Sequence, residues 1–277
     1  MIVQTAPEGE PRFVITMSDH TAFAGKVARA FGNDDFEAVS PRDEVLHIVD
    51  HHDDGWAVFD VQMRFDPETR FPYHLVKTPL EEILKTSARS PTLNEQHHAY
   101  CGLLSSMHSW GLYNGRYGLS NHVLIDQIDP DVRPRVDAML DGELERQGRL
   151  KDKLASDPQT AAWLEEPHLM QNYKQLQFFD TLSLYFHCSH ESERGVAEFP
   201  HVPTNATKDV TVQITPRNGT SDENSYVLSP FPFAESGAVF KFTGRYVASI
   251  PETGESDLQG RIAKTPRRSQ TVTFIAE

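Results

Sequence analysis

The periodicity of this chain changes once, and that change limits what it can fold into. Up to about residue 195 apolar side chains recur at the three- and four-residue spacing of amphipathic helices. From 198 to 277 that spacing disappears, and short β-like runs stand among Pro, Gly, Thr and Ser at Val210–Thr215, Ser225–Leu228, Ala238–Phe242, Tyr246–Ile250 and Thr271–Ile275. The first sixteen residues are strand-like as well, Ile2–Gln4 and Phe13–Thr16 flanking the turn Ala6-Pro7-Glu8-Gly9-Glu10-Pro11. The expected fold is mainly α: a helical bundle with a small antiparallel sheet from the C-terminal region, which the N-terminal hairpin is able to join. A length of 277 residues suits about two domains at roughly 150 residues each, and the periodicity divides them into 1–197 and 198–277.

Six helical stretches are readable within the first part. Ser18 is the expected cap of a helix carrying Phe23, Ala24, Val27, Ala28 and Phe31 and ending near Gly32-Asn33. A second follows Ser40-Pro41, with Val45, Leu46, Ile48, Val49 and His52 on its periodic face and Gly55 just beyond. The four prolines between Asp60 and Pro91 predict loop, with a short helix at Leu80–Thr86, in a segment long enough to cover a site. Leu93–Tyr113 is a buried helix in which Cys101, Leu104 and His108 share a face. Residues 130–155 alternate charge signs along a polar, solvated helix, and His168–Cys188 forms the most apolar one.

Composition excludes several roles. Forty acidic against 26 basic side chains give a formal charge of −14, which opposes binding to nucleic acids and anionic membranes. No apolar run approaches the roughly 20 residues needed to span a bilayer, and MIVQTAPEGEPRF lacks the basic and apolar regions of a signal peptide. The expected location is the cytoplasm, where Cys101 and Cys188 remain free thiols. Asn205-Ala206-Thr207 and Asn218-Gly219-Thr220 match the glycosylation triplet by chance in that setting.

The chemistry is carried by polar residues on apolar helix faces. His20 opens the first helix, His52-Asp53 ends the second, and Asp180 stands among Leu176, Phe179 and Leu184 in the last. A buried carboxylate left without a partner costs several kcal/mol, so Asp180 requires one, and a divalent cation between helices is such a partner. Adjacent helical residues diverge by about 100°, so His52 and Asp53 straddle an ion only near a helix end.

The order of His20, His52-Asp53 and Asp180 resembles the HD superfamily of metal-dependent phosphohydrolases. The segments TMSDHTAFAGKVA, IVDHHDDGW, YCGLLSSMHSWGLY and LQFFDTLSL together look like one uncharacterised bacterial domain-of-unknown-function family distantly related to the HD proteins. The resemblance implies an HD-like helical bundle whose first metal is held by His20, His52, Asp53 and Asp180. It also implies one or two divalent transition-metal ions, with Fe, Mn, Zn, Co and Ni all compatible with imidazole and carboxylate ligands. His108, His98 and His74 are the candidates for further ligands; His97, adjacent to His98, cannot point inward together with it. Asp53, Asp54 and His108 are the candidate catalytic groups.

The function expected from this resemblance is hydrolysis of a phosphate ester or nucleotide-like small molecule by a metal-activated water. Arg64, Arg70, Lys77 and Arg116 are available to neutralise the anionic substrate. The second expectation is a di-iron oxygenase cleaving a small organic substrate, because the HD scaffold includes relatives such as myo-inositol oxygenase; it needs additional histidines of the kind His74 and His98 provide. The third is a non-catalytic metal-binding sensor or interaction module using the strand-rich tail. Oligomeric state is not readable.

Overall fold

The protein is described here by a computed structural model covering residues 1–217, 224–249 and 255–277. The Asn218-Gly219-Thr220 triplet and Ile250 lie outside these residues. The first helix, α1 (Met17–Ala30), begins two residues earlier than Ser18 suggests, because Thr16 is the cap and accepts from the Asp19 N–H. Asp60 completes that helix end by accepting from the Met17 and Ser18 N–H groups. The second helix, α2 (Arg42–His51), ends with His52 at its C-cap, followed by a 3-10 turn at Asp54–Trp56.

The short helix expected at Leu80–Thr86 does not stop before Pro91: α3 spans Leu80–His97 with Pro91 inside it. Proline removes the N–H that would bond the carbonyl four residues earlier, which is Ser87. The Ser109 hydroxyl of the next helix, α4 (Ala99–Tyr113), donates to that carbonyl at 3.0 Å. A partner distant in sequence thus repairs the defect that local reading takes as a helix end. The expected continuous helix 93–113 is broken at His98, whose extended backbone and Nδ1, accepting from the Tyr100 N–H, start α4.

Two 23-residue helices follow, α5 (Arg133–Ala155) and α6 (Glu166–Cys188). The charged α5 buries a narrow stripe, Val136, Leu140, Glu143, Gln147, Leu150 and Leu154, against α4. Between α4 and α5 the backbone makes a turn of rare hand: Gly115, Arg116, Tyr117 and Gly118 have φ of 62°, 52°, 59° and 84°. A left-handed conformation costs about 1–2 kcal/mol at each non-glycine residue.

The sheet overturns the expectation of a mainly α fold with a small antiparallel sheet. About half of the chain is helical, but strands from both ends form one seven-stranded mixed sheet in the order β1-β2-β8-β9-β7-β6-β5. Its members are β1 (Ile2–Val3), β2 (Arg12–Ile15), β5 (Ala197–Asn205), β6 (Lys208–Pro216), β7 (Ser225–Ser229), β8 (Ala238–Val247) and β9 (Arg268–Ala276). A separate ribbon pairs β3 (Phe65–Asp66) with β4 (Phe71–Pro72). β7 runs parallel to β9, and all other pairings in the large sheet are antiparallel.

Three local features conceal this sheet in the sequence. Pro200 and Pro203 disguise β5, yet β5 is an edge strand, where a missing N–H is tolerated. The β5–β6 hairpin closes on the Asn205 side chain, which accepts from the Thr207 N–H. Gly244 separates two apparent strands that are one, because the absent side chain lets β2 approach β8. The N-terminal hairpin joins the sheet through the pairing of Phe13 with Tyr246.

The layers meet through aromatic rings. Phe23 of α1 packs on Phe242 of β8, Phe186 of α6 on Phe274 of β9, and Phe178 of α6 on Phe199 of β5. A single hydrophobic core includes residues of the helices and of the sheet. The last helix, α7 (Glu255–Lys264), buries Leu258 and Ile262 in a smaller cluster with Val14 and Val247. Among the described residues no helix is long and apolar enough to cross a membrane.

A side chain at Gly244 would place its Cβ 2.6 Å from the Val14 carbonyl oxygen and 2.7 Å from the Phe13 ring. Gly244→Ala is expected to lower stability by about 1–3 kcal/mol, read from the urea midpoint. An unchanged midpoint would contradict the close approach of β2 and β8.

Candidate metal centre

Four elements converge between the helical layers. His20 comes from the first turn of α1, His52 and Asp53 from the end of α2, His108 from the middle of α4, and Asp180 from the middle of α6. His20, His52, His108 and Asp180 are buried, whereas the Asp53 side chain is 17% exposed.

His20 Nε2 stands 3.2 Å from Asp180 Oδ1. His52 Nε2 is 3.7 Å from the same oxygen and 3.7 Å from Asp53 Oδ2, and it has no hydrogen-bond partner. Two groups of potential ligand atoms form here, His20–His52–Asp180 and His52–Asp53–His108, each with all atoms within 4.8 Å of one another. Donors bound to one ion at about 2.1 Å stand roughly 3–3.5 Å apart, so the spacing and the mixed nitrogen–oxygen chemistry fit a divalent transition metal.

The Nδ1 atoms carry equal weight. His52 Nδ1 donates to the Val49 carbonyl at 2.9 Å, His108 Nδ1 contacts the Gln177 amide at 2.8 Å, and His20 Nδ1 contacts His187 Nδ1 at 3.0 Å. In His20 and His52 Nδ1 is held from outside, leaving Nε2 for the centre, as metal-binding histidines require; His108 Nδ1 instead accepts from the Gln177 amide, which places the ring proton on Nε2. His187 is itself buried between Phe23 and Phe242.

The electrostatics follow from this packing. Burial alone would lower the pKa of His52, but Asp53 and Asp180 outweigh it and raise it to about 9. Burial alone would raise Asp180, yet His20 and His52 hold its carboxyl well below the usual range. Burial lowers His108 to about 4, and burial together with His20 lowers His187 as well. The cluster thus places a stabilised anion, Asp180, beside an imidazole nitrogen that attracts a proton or a cation.

The remaining expected residues go elsewhere. His74 precedes a 3-10 turn, where its Nδ1 accepts from the Val76 N–H. His98 caps α4 and packs its ring on Trp163. Asp54 turns to His51 Nδ1 at 2.9 Å, both groups partly exposed. His97 stacks on His47 with ring centroids 3.5 Å apart. None of these belongs to either ligand group.

Gln177 and His187 are the contributors that sequence reasoning undervalues. Their signal is their spacing on α6: Gln177, Asp180 and His187 stand three and seven residues apart, along one helical face. Gly55 also has a structural reason, since its N–H donates to Ser90 Oγ and a Cβ there would collide with the Thr86 carbonyl.

The chain belongs to the family described as "Protein of unknown function (DUF3891)", whose model matches residues 1–249. No curated protein and no solved structure matches it.

In chelator-treated protein the stability that His52 contributes is complete below its unfolded pKa of about 6.5 and is lost as pH rises through about 9. His108, neutral in the fold, withdraws stability as pH falls from about 6.5 through about 4, and His187 acts in the same direction. The melting temperature is therefore expected to peak near the unfolded histidine pKa and to decline on both sides. A flat profile from weakly acid to alkaline pH would contradict the buried cluster.

Proposed function

We propose, on the chemistry of the buried cluster, that this protein is a cytoplasmic metal-dependent hydrolase of the HD type acting on a phosphate ester or nucleotide-like small molecule. The observation that carries the reading is His52 Nε2: a buried imidazole nitrogen with no hydrogen-bond partner, facing two carboxylates at 3.7 Å. Such an atom is costly unless a cation or proton stands between it and the oxygens.

His20, His52 and Asp180 would hold one ion, and His52, Asp53 and His108 form a second, overlapping group of donors. A bound divalent ion would supply a Lewis acid for the phosphoryl oxygen and make a water reactive near neutral pH. Asp53, the less deeply buried of the two carboxylates, would accept a proton from an attacking water. His108 is neutral at physiological pH, and Gln177 fixes its ring for hydrogen bonding to substrate. His187 and Val49 keep the tautomers of His20 and His52 in register.

The ligand pattern, rather than the overall fold, carries the likeness to the HD proteins. The oxygenase reading draws less support, because the histidines it calls on, His74 and His98, serve as local backbone caps.

Metal analysis of purified protein is expected to find a divalent transition metal, lost in His52→Ala and Asp180→Asn. Phosphate release from generic phosphomonoesters and phosphodiesters is expected to fall at least about a hundredfold in Asp53→Asn, in the range typical of lost acid–base catalysis. Substrate-dependent oxygen uptake without phosphate release would overturn the proposal.

A further inference from the structure

A cleft of about 240 Å³ opens beside the buried cluster, lined by Arg116, Lys174, Gln177, Thr181, Phe199 and His201 among others. It touches the cluster through α6. Thr181 follows Asp180 in the chain, and Gln177 lines the cleft while one end of its amide contacts His108 Nδ1 at 2.8 Å. The amide nitrogen makes that contact, and the carbonyl oxygen Oε1 has no hydrogen-bond partner.

Two strained backbone segments from unrelated parts of the chain line the same cleft. Arg116 belongs to the left-handed turn, with φ of 52°. That turn is locked by its neighbour: the Tyr117 hydroxyl donates to Gln147 Oε1 at 3.1 Å, and its ring packs between Trp110 and Tyr173. His201 has φ of 60° and lies where the β5–β6 register slips between Phe199 and Val202. Strain of this kind persists where the surrounding structure enforces it, and it concentrates at ligand-binding positions.

Charge then specifies the ligand. Lys174 is paired with Asp209 at 2.6 Å, and Asp209 is also 3.9 Å from His201 Nδ1. Glu198, on the exposed rim, contacts Gln213 at 3.5 Å. Among the described residues no carboxylate lies within ion-pair distance of Arg116. In a chain of net charge −14, this free guanidinium presents the planar donor fork that suits phosphate oxygens.

We infer that this cleft binds a phosphate-type anion through Arg116, supported by His201. Because Gln177 stands between the cleft and His108, the anion held here is a second, non-reacting group of the substrate. The substrate class is therefore a phosphoester carrying another phosphate, a use that rests on the hydrolase reading; the anion binding itself does not.

Calorimetric titration with inorganic phosphate tests this on the full chain, using His52→Ala to remove the proposed metal centre and Arg116→Gly to remove the guanidinium. Glycine adopts the left-handed conformation without strain, so Arg116→Gly is expected to melt no lower than the parent. Phosphate is expected to bind wild type and His52→Ala alike, and at least tenfold more weakly when Arg116→Gly is introduced into either. Chelator-treated wild type replaces His52→Ala if that variant does not fold. No saturable binding at millimolar phosphate, or binding that survives Arg116→Gly, would overturn the inference. Binding that disappears with His52→Ala but not with Arg116→Gly would assign the anion to the metal centre and overturn it as well. Metal content, measured on the same samples, reports on the hydrolase reading separately, so that reading can fail while the anion site stands.

Discussion

A carboxylate buried in a helical interface must be neutralised by groups brought to it, and Asp180 imposes that requirement here. His20 reaches it from α1 and His52 from the end of α2, so three helices are held at fixed separations by one side chain. The helices around this contact are correspondingly constrained. α4 is buried on nearly every side, and its small residues permit close packing, with Gly111 facing the Tyr173 hydroxyl of α6 and Gly102 facing Glu95 of α3.

The large sheet supports the cluster from the opposite side of α1 and α6. The rings of Phe23 and Phe242 surround His187, which in turn holds His20, so the position of a nitrogen facing Asp180 depends on a strand contributed by the C-terminal region. The sheet is thus more than an appendage to a helical bundle. Its aromatic layer excludes water from the outer partners of the histidines, strengthening each electrostatic interaction within the cluster.

Legibility differed from element to element. The helices α1 and α2 announce themselves because their apolar residues keep one period, α5 by its alternating charges and α6 by its apolar content. The convergence of His20, His52, Asp53 and Asp180 could be anticipated from polar residues on apolar faces together with the family resemblance. His74 and His98 illustrate the opposite case. A histidine in a loop or at a helix junction carries the same residue type as a ligand, but its ring nitrogen is taken by the adjacent backbone, and only the local turn geometry reveals that.

By itself the amino-acid sequence determined the helical faces, the strand-like character of both termini and the need of Asp180 for a partner, because these follow from periodicity and from the cost of burying charge. Tertiary structure alone decided that Pro91 would lie within a helix, that Gly244 would join two strands into one, and that β7 and β9 would run parallel. In each case the deciding group lies far along the chain: the Ser109 hydroxyl for Pro91, the β2 backbone for Gly244, and the intervening β8 for the parallel pair. Local propensity does not encode such partners, since their contribution exists only after the chain has closed the intervening loops.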